Sequence, residues 1–559
     1  VEFYDPLALK QRGAHGSCIR KAYEAAMIPS AFRAAVLLLA VSAAGCGGGG
    51  DTGGAGAPLV MARVKDAVVL DPSHATDGLS LNTASEVMEN LVTFKPGSFD
   101  VVPALATAWH ANAAGTAWTF DLRPGAMFAD GTPVDAAAVK FNFDRWRLPN
   151  DPNRGNFEYS YYADMFGGFP GVIRAVNVVS PARVELVLAH PFGPFLRDIA
   201  MPSFAIGSPA AIKADAKAFE LKPVGSGPYT VGEWVRDDHI TLTANPSYNG
   251  PLMKPAFGTV IIRDIPDQAS SVLSIEKGEI SMLTEPRADD AKTLAQQKGI
   301  TVVDQPSNNL AYLALNVEKK PFDELRVREA IAYAIDASAI AKGLYAPGTV
   351  AAANWTPPGM LGENPALHPF VRNVARAKAL LKEAGFPNGF STDIYYPTAP
   401  RPYMPEPQRL AETLQAQLKD AGINATLQPW EFGVFLAKVR NGEHQMCLIG
   451  WSGDNGDPDN FLYPLLDEDS AHKGTAQNYS FWRDPKFHAL MLAGQSTLDE
   501  AQRKHIYMQA NAMIHDQVPA IPLVHTVVPG ALSTSITGFK TSPDTRYHFE
   551  LVKPAEATK

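Results

Sequence analysis

The chain has 559 residues, of which 46% are hydrophobic and 19% charged, and a net charge of -9. That length exceeds what one hydrophobic core serves, so two or more domains are expected, and the composition is that of a folded chain rather than a disordered one. Acids and bases are interspersed without a basic patch, which argues against a nucleic-acid partner, and three cysteines, Cys18, Cys46 and Cys447, are too few for a disulfide framework.

Residues 1–26 carry mixed charge and open on Val1, so translation is expected to start at Met27, giving a short basic region that ends at Arg33. Small and aliphatic residues then fill 34–44. This stretch falls short of the roughly 20 apolar residues a membrane-spanning helix needs, but it suits a secretory signal. Ala43-Ala44-Gly45-Cys46 resembles a bacterial lipobox, in which the cysteine is acylated and becomes the first mature residue, although Ala43 stands where leucine is commoner. Residues 27–46 therefore read as a lipoprotein signal peptide, with Cys46 as the lipidation site. The Gly-rich stretch 47–58 can bury nothing and reads as a tether. One acyl chain holds a membrane only marginally, so stable anchoring rests on the several chains a lipoprotein cysteine carries.

Beyond the tether the pattern becomes strand-like over 59–64 and 68–72, and a helical pattern follows over 83–91. Residues 118–123 read as a strand, Pro124-Gly125 as a tight turn before a short strand, Asp130-Gly131 as another turn, and a helix is expected from near Asp135. The run WTFDLRPGAMFADGTPVDAAAVKF at 118–141 resembles the signature segment of the periplasmic peptide-binding family, the extracytoplasmic receptors of oligopeptide and dipeptide ABC importers.

Further segments recur in that family's order. KPVGSGPY at 222–229 is a turn before a strand that runs into Trp234; its Gly-x-Gly precedes Pro228 and a strand, not a helix, so it is no phosphate loop. Residues 310–344 give a strand, Pro321 near a helix start, and Leu325, Ala330, Ile331, Ala334 and Ile335 at helical spacing. Helices are expected over 375–385, closed by Gly385, and over 409–422. The apolar run 446–449 reads as a short buried strand that stops at a Gly- and Asp-rich loop opened by Trp451.

In that loop Asp454, Asn455, Asp457 and Asp459 follow a rigid aromatic, and Arg401-Pro402-Tyr403 sits some fifty residues upstream. Such Asp and Asn residues commonly bond their own backbone in turns. An EF-hand calcium loop requires Gly at its sixth position and Glu at its twelfth, and neither Asp454 nor Asp457 as the first position supplies both. RPY at 401–403, and GEHQ with GWSGDNGDPDNF over 442–461, are similar to the dipeptide-binding members. The resemblance implies an α/β, two-lobed periplasmic-binding-protein fold of the class II type with an extra subdomain in the first lobe. It places that lobe at 59–306 plus 525–559 and the second at 307–524, with crossings near 306–311 and 522–526. It also implies a monomer that is not an enzyme and carries no cofactor or metal. Such a protein delivers dipeptides by hinge closure to an ABC permease outside the cytoplasmic membrane, in the periplasm or, in a single-membrane bacterium, at the cell surface. Members of the family can carry paired cysteines in the mature domain; here Cys447 is the one cysteine after the tether.

A free peptide is a zwitterion, and recognising it without reading its side chains takes one fixed charge of each sign. By the resemblance Asp454 meets the ammonium and Arg401 the carboxylate, with Gly453 beside them, while Trp451 and Tyr403 are either walls of side-chain pockets or ordinary packing. Each added residue lengthens an extended peptide by about 3.3–3.6 Å, so anchors spaced for two residues leave a charge of a tripeptide unpaired. The same fold could carry longer peptides, haem, glutathione or a nickel chelate. A peptide hydrolase would need a nucleophile or metal set; the sequence holds no HExxH and no Gly-x-Ser-x-Gly elbow.

Overall fold

The computed structural model describes residues 56–251 and 253–556. The expected start at Met27, the signal segment, the lipidation site Cys46 and most of the tether lie outside them. Two large sheets organise the rest. In a seven-stranded sheet the strands stand in the order Ile300–Pro306, Val527–Ser533, Met282–Thr284, Leu59–Arg63, Thr259–Asp264, His239–Ala244, Tyr229–Val235. In a six-stranded sheet the order is Val350–Ala351, Ala520–His525, Asn309–Leu315, Met446–Ser452, Phe390–Pro397, Ile423–Trp430. A four-stranded antiparallel sheet built from Ala106–Ala111, Ala117–Leu122, Arg183–Leu188 and Ile173–Ser180 forms a subdomain inserted in the first lobe. Its own core includes Phe120, Phe143, Trp146, Phe166 and Phe195.

The strand Met446–Ser452 shows why the six-stranded sheet forms here. Successive side chains alternate faces, so Met446 and Leu448 enter one core while Cys447 and Ile449 enter the other. A strand apolar on both faces is stable only between two packed layers. Asn309–Leu315, beside it, is buried at every position.

The chain passes directly between the two large sheets twice, once through Ser307 and Asn308 and once through Thr526. The two passages are bonded to each other. The Ser307 N–H donates to the Thr526 carbonyl at 3.2 Å, the Asn309 carboxamide donates to Thr526 Oγ1 at 2.7 Å, and the Thr526 N–H donates to Asn309 Oδ1 at 3.1 Å. His525 lies against the same pair, its Nδ1 2.8 Å from the Asn309 carbonyl.

Strand polarity gathers several loops at one edge. Met446–Ser452 runs parallel to Phe390–Pro397, which runs parallel to Ile423–Trp430. Asn309–Leu315 runs antiparallel to Met446–Ser452 and to Ala520–His525. The carboxyl ends of four strands and both inter-sheet passages therefore share an edge, the place where open α/β sheets bind ligands.

Two expectations are corrected. The helix expected over 83–91 is instead Gly78–Ala84, started by Asp77, whose side chain accepts from the Ser80 N–H. Past Ser85 the carbonyls of Glu86 and Val87 accept from Tyr229 and Gly227 of the KPVGSGPY turn, so tertiary partners displace the next helical turn. Residues 68–72 form no strand, because the N–H groups of Val68 and Val69 donate to Ser80 Oγ and that of Leu70 donates to the Glu220 carbonyl. Among the described residues no helix is long and apolar enough to cross a membrane.

Candidate binding site

Asp454 stands two residues beyond the strand Met446–Ser452, partly buried. Its backbone N–H donates to Asn460 Oδ1 at 3.1 Å, and the Trp451 indole donates to the same oxygen at 3.1 Å. One carboxamide at the start of the helix Asp459–Leu466 thus ties both ends of the turn. Tyr161, from the inserted subdomain, donates its hydroxyl to Asp454 Oδ1 at 3.2 Å. Burial lifts the Asp454 carboxyl to about 6, against the lowering pull of the Tyr161 and Asn460 bonds.

Gly453 joins this turn to the first passage between sheets. Its N–H donates to the Asn308 carbonyl at 2.7 Å, and a Cβ there would sit 2.3 Å from the Phe461 ring and 2.6 Å from the Asn308 carboxamide, so no larger residue fits.

The other acids of the loop are turned to structure. Asp457 is fully buried and accepts both arms of Arg503, at 2.7 and 2.8 Å, with Arg197 Nη1 3.8 Å away. Although burial works against it, these guanidinium groups hold the Asp457 carboxyl below its ordinary value. Asn455 donates to Asp198 of the inserted subdomain at 2.6 Å, and burial keeps the Asp198 carboxyl well above the usual range. Asp459 is pushed up to about 7, first by burial and then by the charge of Asp457, while Gln495 donates to it at 3.1 Å.

Arg401 follows the strand Phe390–Pro397, and its guanidinium lies 3.4 Å from the Phe432 ring centroid in a stacked cation–π contact. Pro402 meets the second passage, where Thr526 Oγ1 lies 3.5 Å from its carbonyl. Tyr403 is 7% exposed and packs in the core of the second lobe against Gly450, where an added Cβ would fall 2.3 Å from the ring. This contact joins the RPY turn to the strand that carries Asp454. Trp451 is partly buried at the margin of the other core of that lobe.

Sequence reasoning singled out Asp454, Arg401, Trp451, Tyr403 and Gly453 but missed Tyr161, Asn460, Asn308 and Phe432. Asn460 falls inside the same motif, and its spacing six residues after Asp454 was the available signal. Tyr161 lies almost three hundred residues away, and only folding brings it near. Among the described residues one group, Asp467, Asp469 and His488, brings potential metal-ligand atoms within 4.8 Å of one another. His488 Nδ1 bonds Asp467 at 2.9 Å, and Asp467 also caps the short helix Glu468–Ser470.

Comparison with known proteins places this geometry. A family model described as bacterial extracellular solute-binding proteins, family 5, middle region, matches residues 100–473. The chain is 34% identical over 496 residues to the dipeptide-binding protein of Escherichia coli (strain K12), across 86% of this chain and 92% of that one. It is 31% identical over 502 residues to heme-binding protein A of Haemophilus influenzae, across 87% of this chain and 90% of the relative. The solved structure of HbpA2 from Haemophilus parasuis is similar with a TM-score of 0.84 at 31% identity, covering 89% of this chain and 100% of the other. With its two sheets, its paired passages and a partly buried acidic turn at their shared edge, the chain belongs to the family 5 bacterial extracellular solute-binding proteins.

Proposed function

We propose that this protein captures dipeptides outside the cytoplasmic membrane and delivers them to an ABC importer, held to a membrane through lipid on Cys46. Asp454 takes the ligand's ammonium and Arg401 its carboxylate. The lobes, 59–306 with 525–559 and 307–524, close around the ligand about the bonded passages. The observation that carries the reading is the setting of Asp454: a partly buried carboxylate, at the carboxyl edge of a sheet, beside an inter-sheet passage, with a neutral hydroxyl from the inserted subdomain on one oxygen. Such a group is costly to bury unless a cation completes it.

Ligand stabilises a closed form to the extent that it binds that form better than the open one. A zwitterion that touches both lobes meets this condition, because each terminus adds a charge-assisted bond of about 1.5–3 kcal/mol. Stacking on Phe432 fixes the plane of the Arg401 guanidinium, which favours a two-pronged grip on a carboxylate. The relatives are solute-binding proteins, and the proposed site asks for no bond to be broken.

Haem is the second reading, favoured by the similarity to heme-binding protein A. Calorimetric titration with dialanine, trialanine, tetraalanine and hemin separates the two. Dialanine is expected to bind most tightly, with affinity lost in Asp454→Asn and Arg401→Ala. Hemin binding that both substitutions leave untouched, together with no heat from any peptide, would transfer the assignment to haem. Mass spectrometry of the mature amino terminus tests the lipid on Cys46.

A further inference from the structure

We infer that Tyr161 is the first lobe's positioning residue for the ammonium site. Its hydroxyl holds one oxygen of Asp454 so that the other stays aimed at the ligand, and that bond, made to the recognition carboxylate itself, couples recognition of the amino terminus to closure of the lobes. The inference rests on the reading of Asp454 as the ammonium partner.

Tyr161 belongs to the helix Ser160–Phe166 of the inserted subdomain and is 6% exposed. Its ring sits in the subdomain core, while its hydroxyl reaches Asp454 Oδ1 at 3.2 Å. One turn further along the same helix, Met165 Sδ lies 3.8 Å from the Asn455 carboxamide nitrogen. Residues four apart share a helix face, so this face lies along the Asp454-Asn455 turn instead of touching it at a point. The bond from Asn455 to Asp198, at 2.6 Å, fixes the turn to the same subdomain from a second element.

The chemistry of a phenol suits this place. A lysine or arginine here would neutralise Asp454 and compete with the ligand's ammonium. A neutral O–H donor instead supports the ionised carboxylate while leaving its charge for the ligand. A tyrosine also delivers that donor on a rigid ring whose packing is already fixed by the subdomain, so little freedom is lost when the lobes meet.

Among the described residues three titratable groups converge on this bond. Tyr161 and Asp164 face Asp454 from the helix Ser160–Phe166, the first lowering the Asp454 pKa and the second raising it. Asp77, the cap of the helix Gly78–Ala84, adds its charge near the Tyr161 hydroxyl. Asn460 bonds Asp454 from its own loop. Removing the Tyr161 hydroxyl leaves burial and Asp164 less opposed, so Asp454 takes up a proton at higher pH. Because only the ionised carboxylate attracts an ammonium, dipeptide affinity should then begin to fail at higher pH.

The test is calorimetric titration of dialanine into the wild-type protein, Tyr161→Phe and Asp198→Asn between pH 5 and 8. Tyr161→Phe keeps the ring and its packing and is expected to bind about tenfold more weakly at pH 7.5, with a midpoint of acid loss moved upward from the wild-type value. Asp198→Asn, which alters the hydrogen bond to Asn455 and leaves the Tyr161 hydroxyl in place, should leave that midpoint where it was. Tyr161→Phe with wild-type affinity and midpoint would overturn the proposal, as would the same midpoint shift in Asp198→Asn, which would assign the effect to the turn as a whole. A wild-type protein that binds no dipeptide at any of these pH values would refute the reading of Asp454 itself, and this inference with it.

Discussion

Asp454 and Asp457 sit three residues apart in one acidic turn, yet their surroundings set them opposite tasks. Asp457 is buried completely and closed by a two-pronged guanidinium, which holds its carboxyl below the ordinary value. Asp454 is partly buried, accepts from the neutral hydroxyl of Tyr161 while its own N–H donates to Asn460, and burial raises its pKa to about 6. A paired buried carboxylate braces a fold, while one whose partner among the described residues is a neutral hydroxyl is, on the proposed reading, poised to receive a cation. On the proposed reading identical residue types in one motif divide into brace and receptor, and the division follows from which groups the fold sends to meet them.

The largest expected effect lies on the bracing side. Asp457→Ala strands Arg503 in the interior, and loss of one partner of a buried pair costs about 3–5 kcal/mol of stability, readable in a urea unfolding midpoint. Asp454→Asn should not lower that midpoint near neutral pH, where it removes a charge that burial disfavours, while removing about 1.5–3 kcal/mol of dipeptide binding, and Arg401→Ala should show a similar loss by titration. Should the two aspartates exchange these phenotypes, the division is wrong. Gly453→Ala, which forces a Cβ into Phe461 and Asn308, should cost about 1–3 kcal/mol as overpacking does, and it tests whether the turn and the inter-sheet passage behave as one unit.

The pH response is smaller and separates the two carboxylates by sign. Asp454 has a raised folded-state pKa, so between about 4 and 6 the folded form holds a proton that the unfolded form releases. Its contribution to stability therefore grows as pH falls from about 6, even as ligand affinity falls. Asp457 is lowered, so its contribution is present above its unfolded value of 3.8 and is lost as pH falls through its folded value. Comparing the unfolding midpoint of Asp454→Asn with wild type from pH 7 to 4.5 should show the wild type gaining relative to the variant.

Much of this was legible in the sequence where chemistry is local. The run 446–449 became a strand whose alternate side chains feed two cores, Asp135 caps the helix Ala136–Arg147, and Gly385 follows the helix Val374–Glu383 with a positive φ. The motif that holds Asp454 stood out because Gly, Asp and Asn mark a turn after an apolar strand. What failed was set at long range. Residues 83–91 carry a helical pattern, but the KPVGSGPY turn captures their carbonyls. Tyr161 looked like one aromatic among several, and nothing near it in sequence shows that it meets Asp454. Neither does the pattern of the loop reveal that Asp457 has Arg503 as its partner, since that pairing depends on how helices pack on the second lobe.

On the proposed reading Asp454 answers a free amino terminus. This role is tested most directly by the ratio of affinities for dialanine and N-acetyl-dialanine, measured by titration on the wild-type protein and on Asp454→Asn. A large preference for the free amine is expected in the wild type, collapsing toward unity in the variant; an unchanged preference in Asp454→Asn, or none in the wild type, would contradict this role of Asp454.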